Sequence, residues 1–168
     1  MPKQNHFSVG DWIVHTFHGV GKIEKIVKKQ LDDSKQQFYK VSTNDIDYWL
    51  PFGSENVDHI EPLRSKKDFA HAIKILSSQP EPLTDHHKGR TAEIHERWQI
   101  GTLESRAELL RDLNGRDHEK KLNFNEKELM EKITKYMISE WLICDSKLTR
   151  KKAQQKISKA LNQSLRCL

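Results

Sequence analysis

The chain has 168 residues, enough for one or two small domains. With 35% hydrophobic and 32% charged residues and a mean hydropathy of −0.81, it argues against one large core; regular recurrence of its apolar residues argues equally against general disorder. The net charge of +5 and a pI near 9.1 favour an anionic partner, nucleic acid ahead of membrane. Two cysteines, Cys144 and Cys167, do not make a disulfide framework and suit a reducing cytoplasm. The opening MPKQNHFSVGDW lacks the apolar run of a signal peptide, and no segment approaches the roughly 20 apolar residues of a membrane span. A soluble, intracellular protein is expected.

From Phe7 to Pro62 the pattern is short and strand-like. Trp12, Val14 and Thr16 alternate with Asp11, Ile13 and His15, and Gly19 and Gly21 then flank Val20. A second strand is expected over Lys22 to Val27. Lys28 to Gln37 reads as a polar turn region around Asp32, Asp33 and Ser34. Phe38, Tyr39 and Val41 begin a third strand; Ile46, Tyr48, Trp49 and Leu50 form a fourth ending at Pro51, and Val57 and Ile60 supply a fifth. Short strands at this spacing suggest a small antiparallel barrel or strongly bent sheet.

After Pro62 the period changes. Phe69, Ile73 and Leu76 fall at helical spacing up to the break QPEPL, residues 79–83. Ile94, Trp98 and Ile100 predict a helix closed by Gly101. Leu103, Ala107, Leu110 and Leu113 predict another that stops near Asn114-Gly115. Asn125, with Glu128 three residues on, resembles a capping box opening a long helix that carries Leu129, Ile133, Tyr136, Met137, Trp141 and Leu142 on one face. A last basic helix is expected from about Thr149 to Leu165. The fold class is therefore α+β: a β domain over residues 1–63, a connecting helix and proline linker over 64–84, and a helical domain over 85–168.

No enzymatic activity is expected of the chain. His15 and His18 stand in a strand-and-turn context, His86 and His87 are adjacent, and no Cys-x-x-Cys completes a zinc site, so no metal and no cofactor are expected. There is no nucleophile elbow and no phosphate loop, and GVG leads into a strand rather than a helix. The carboxylates in DHEKK and EKELMEK read as solvated surface. What remains is basic: Lys88, Arg90 and Arg97, then Arg106 and Arg111, then Arg116, Lys120 and Lys121 in an expected loop, and Lys147, Arg150, Lys151 and Lys152 near the last helix. Such side chains either contact phosphates or merely keep a helical bundle soluble.

The order of motifs narrows this. VGDWIVHTFHGVGKIEKI, residues 9–26, resembles the opening of the CarD/CdnL family of bacterial transcription regulators, with V-G-D, strand residues and H-G-x-G before a second strand. GTLESRAELLRDLNGRDHEKKLNFNEKELMEKITKYMISE, residues 101–140, is similar to that family's helical domain. AELLRDL stands in place of A-E-V-V-R-D-L, and NEKELM in place of S-x-x-E-K-x-M-L. The similarity spans roughly residues 7 to 145.

The resemblance implies a Tudor-like N-terminal domain that binds the β subunit of RNA polymerase. It also implies a helical C-terminal domain on promoter DNA near the upstream edge of the −10 element, by backbone and minor-groove contacts, in a bacterial cytoplasm and with no membrane or small-molecule substrate. Polymerase-binding positions fall at Lys28, Lys29, Tyr48, Trp49, Leu50 and Pro51, with Trp49 standing where the family has an arginine. The DNA-binding set falls at His87, Lys88, Arg90, Arg97, Arg106, Arg111, Arg116 and Lys120. The family's wedge tryptophan aligns at or near His87, while Trp98, three helical turns on, suits a core. A Tudor-like adaptor that touches only protein, or an RNA-binding factor, are the rival readings.

Overall fold

A computed structural model describes residues 7–31, 34–53 and 59–168. The chain divides into two compact units, residues 1–63 and 64–168. The first is one antiparallel sheet of β1 (Trp12–His15), β2 (Gly19–Leu31), β3 (Ser34–Ser42), β4 (Asp47–Pro51) and β5 (Ile60–Pro62), in the order β4-β3-β2-β1-β5. Its core is Ile13, Ile23, Tyr39, Val41 and Leu50, with Phe7, Tyr48, Phe52 and Ile60 packed around it. Ile60 lies in β5 as expected, whereas Val57 lies outside the described residues.

Two glycines shape the first hairpin. Gly19 sits at φ 75°, a left-handed conformation that closes the turn after His15 at little cost. At Gly21 a Cβ would lie 2.6 Å from Val41 Cγ1, so only glycine lets β2 press against the core there.

The polar stretch 28–37 is not a loop. Lys28 pairs with Gln37, Lys29 with Gln36 and Gln30 with Lys35, extending β2 and β3 as a two-stranded ribbon. Both faces of this ribbon are largely polar, so no apolar alternation marks it. Asp32 and Asp33 lie outside the described residues.

The second unit holds five helices: α1 (Lys66–Ser77), α2 (His87–Ile100), α3 (Leu103–Lys120), α4 (Phe124–Cys144) and α5 (Arg150–Leu165). Central α3 touches all four others and buries Leu109, Leu110 and Leu113. Phe69 of α1 stacks on Trp141 of α4, 5.1 Å between centroids and 5° from parallel. α1 is therefore part of the bundle rather than a connector.

Two helix boundaries differ from the sequence expectation. α3 runs through Asn114-Gly115 to Lys120, because Gly115 is where Pro80 packs: an added Cβ would meet Pro80 Cβ at 2.6 Å. Arg116 and Lys120 thus lie on a helix, not in a loop. α4 starts two residues earlier than expected, capped by Asn123 with Glu126 completing the box, so Asn125 is inside the helix. α2 does end at Gly101, at φ 72°, and Thr149 caps α5 through Lys152 N–H.

The proline segment is a strap packed on α3 rather than a free linker. Pro80 and Leu83 are buried, Glu81 N–H donates to Asp112 Oδ1 at 2.8 Å, and Arg111 Nη1 donates to Ser78 Oγ at 2.9 Å. Two prolines limit the chain's freedom before it is laid along α3, which lowers the entropy cost of fixing it there.

Candidate functional site

In the sheet unit the six expected residues separate by face. Among the described residues β4 is an edge strand, paired on one side by β3. Alternation along β4 turns Leu50 into the core, where it is buried. Leu50 is thus corrected from a contact residue to a core residue, leaving only its backbone at the edge.

Trp49 faces the other way and is 41% exposed. Lys29 Nζ sits 3.7 Å over its ring, a cation–π contact that fixes both side chains at the strand edge. Lys28 and Pro51 are exposed. Lys40, cross-strand from Trp49, is held by Glu24 at 2.9 Å and Asp47 at 2.7 Å, and these two carboxylates raise its pKa.

Tyr48 is half-buried beneath two histidines, 5.5 Å from the His15 ring and 4.8 Å from that of His18. Burial pushes its phenol well above the usual range. His15 Nδ1 accepts Phe17 N–H at 3.1 Å, and its ring lies 4.4 Å from that of His18. HTFHG is therefore a packed aromatic turn, with Phe17 also against His59 at 5.0 Å. Among the described residues no group of three or more His, Cys, Asp or Glu is placed to hold a metal ion.

In the helical unit the expected phosphate-binding arginines turn inward. Arg90 is buried and donates from Nε to Glu126 Oε1 at 2.6 Å, and from Nη1 to the carbonyls of Thr84 and Asp85. Arg97 Nη2 and Arg111 Nε both reach Asp112, at 2.6 and 2.7 Å. Arg106 is 2% exposed, with its guanidinium 5.5 Å from the Trp98 ring. Burial lowers the Arg106 pKa, while Glu140 favours its cation.

The surface expectation for these four is corrected. Arg90, Arg106 and Arg111 lie below the surface, and Arg97 is largely covered and bound to Asp112. The reason is three buried carboxylates, Asp112, Glu126 and Glu140, of which Glu126 belongs to EKELMEK, a stretch that reads as solvated surface. An ionised carboxylate enters a core only when paired, and Asp112 and Glu126 each hold a guanidinium there, whereas Glu140, whose pKa burial raises, accepts the Arg64 N–H at 3.1 Å. Trp98 is buried, as its position at the far end of α2 led one to expect.

His87 and Lys88, in the first turn of α2, are exposed. The Arg116 side chain is largely buried and Lys120 exposed; both pair with Asp85, at 3.2 and 2.7 Å, and Lys120 ahead of Arg116 lowers the Asp85 pKa. The Arg90–Glu126 bond brings the start of α2 to the start of α4, where Phe124 stands in the open. Phe124 and the basic face of α5 carry no motif of their own. The signal for α5 lies in where charges of one sign collect.

Among the described residues no helix is long and apolar enough to cross a membrane. Residues 7–63 match the CarD-like/TRCF RID domain, and residues 71–158 match the CarD C-terminal domain. A protein of Bacillus subtilis (strain 168) named "Putative transcription factor YdeB" is 30% identical over 140 residues, covering 80% of this chain and 89% of that protein. Two domain models in the family's order, each on its own structural unit, lead to one conclusion: the chain belongs to the CarD family of transcription factors.

Proposed function

We propose that the chain regulates transcription initiation by binding the β subunit of RNA polymerase through its sheet. Its helical unit is then held on promoter DNA near the upstream edge of the −10 element, where it changes open-complex stability. The observation that carries the polymerase half is β4, the edge strand among the described residues, whose exposed Trp49 is met by Lys29 from β2; Lys28 beside Lys29 and Pro51 at the end of β4 are also exposed. Strand addition uses main-chain groups and tolerates tryptophan in place of arginine, while a large aromatic at an interface commonly anchors binding.

On the helical side His87, Lys88 and Lys120 remain available at the surface. Histidine is a smaller wedge than tryptophan, so His87 contributes less to prying a base step than charge contributes to holding the backbone. Tethering by polymerase makes modest DNA affinity sufficient. No catalytic step is part of this function. The test is the lifetime of open complexes on a purified polymerase with and without the protein. A changed lifetime that His87→Ala reduces less than Lys88→Gln/Lys120→Gln supports the reading; no change with folded protein overturns it.

The protein-only adaptor has one observation in its favour: four arginines expected to meet DNA are engaged inside the bundle. Under that reading polymerase binding persists and promoter DNA binding is absent at every salt concentration.

A further inference from the structure

The chain's positive charge is concentrated at one end. Residues 146–168 hold seven of the 29 lysines and arginines and none of the 24 aspartates and glutamates. The remaining residues carry 22 cations against 24 carboxylates, a net of −2. The basic character of the whole protein is thus the property of α5 and its approach.

α5 buries Ala153, Ile157, Ala160, Leu161 and Ser164 on one side. Lys152, Lys159 and Arg166 recur every seven residues on the opposite side, roughly 10.5 Å apart along the axis at 1.5 Å per residue. A shallow groove over this face, about 840 Å³, is lined by Lys151, Lys159 and Arg166 together with Gln155, Ser158 and Asn162. Among the described residues Arg150, Lys151, Lys152, Lys159 and Arg166 have no carboxylate within 4.0 Å, unlike the arginines of α2 and α3.

We propose that the exposed face of α5 is a duplex-DNA backbone-binding surface, a second footprint separate from the start of α2. This rests on the reading that the helical unit meets DNA, and adds an element to it. Three features fit that partner. A straight row of unpaired cations some 20 Å long faces a polymer carrying one charge per roughly 1.7 Å. The residues between the cations are Gln, Asn and Ser, the polar types that hydrogen-bond phosphate and sugar oxygens. The face carries no aromatic side chain, so it offers no stacking platform for unpaired bases.

The test measures the affinity of the full chain for duplex DNA across a salt series. It compares the natural chain with a Lys151→Gln/Lys152→Gln/Lys159→Gln/Arg166→Gln variant checked for an unchanged melting curve. Each phosphate neutralised contributes about 0.9 to the slope of log affinity against log salt, so loss of four cations lowers the variant's slope by about 3.6 and its affinity at low salt by at least tenfold. An unchanged slope, or single-stranded DNA bound as tightly as duplex, overturns the proposal while leaving DNA binding by α2 intact. If the natural chain binds no duplex at all, both this surface and the DNA half of the proposed function fall. An iron chelate tethered at exposed Cys167 gives a second measurement that leaves every cation of the row in place. Backbone cleavage of bound duplex from that position is expected, and binding without cleavage contradicts the assignment.

Discussion

Asp112 has almost no exposed surface and accepts three hydrogen bonds, from Arg97, Arg111 and Glu81 N–H. Removing it takes the shortest ion pair from two arginines, leaving Arg97 with Glu93 at 3.7 Å and Arg111 with Glu81 at 3.9 Å, and strands a backbone donor. Asp112→Ala is therefore expected to destabilise the helical unit by about 3 kcal/mol or more, measured by urea unfolding. Glu126 supplies a pH dependence. Burial pushes its carboxyl upward, but the Arg90 guanidinium and the Asn123 backbone outweigh burial and hold it below its ordinary 4.5. A lowered folded-state pKa gives stability that is full above the unfolded value and lost as pH falls through the folded one. The melting temperature should fall as pH drops below about 4.5, and Arg90→Met should make that fall shallower. The thiols differ too: burial pushes Cys144 up to about 12, and its Sγ donates to the Arg64 carbonyl, while Cys167 is exposed. A maleimide at neutral pH should modify Cys167 alone, read by mass spectrometry. None of these partnerships was visible in the sequence, because Arg and Glu on a helix read alike whether they face water or each other across a bundle.

Elements were legible where one face is apolar and the other polar. The face of α4 through Ile133, Met137 and Trp141 is an example, as is Gly101 closing α2. They were not legible where both faces are alike, as in the β2–β3 ribbon, or where a glycine serves packing rather than a turn. Gly115 reads as a helix stop, yet it is the flat place on α3 over which the 79–83 strap lies. Gly115→Ala should improve helix propensity and still lose stability, by about 1–3 kcal/mol, because the new methyl meets Pro80. Thermal unfolding with Gly115→Ala alone and combined with Pro80→Ala checks this. Partial recovery in the double variant is expected, and equal loss would show that Pro80 is not the obstacle.

At the scale of the whole molecule two units carry two kinds of surface. Among the described residues the sheet offers the β4 edge with Trp49 held by Lys29, and the helical unit offers charge on α5 around an interior that engages its own arginines. The two-part architecture and the family were readable from motif order. The candidate contact set was readable only in part: Lys29 and Trp49 meet at the edge, whereas Leu50 and the buried arginines belong to cores. The central claim is that the sheet edge grips polymerase, and binding of purified polymerase β subunit to the full chain tests it most directly. The natural chain is expected to bind, with Trp49→Ala weakening the affinity by about 2 kcal/mol, some thirtyfold, while leaving the melting temperature nearly unchanged. Folded natural protein that recovers no β subunit would contradict the account.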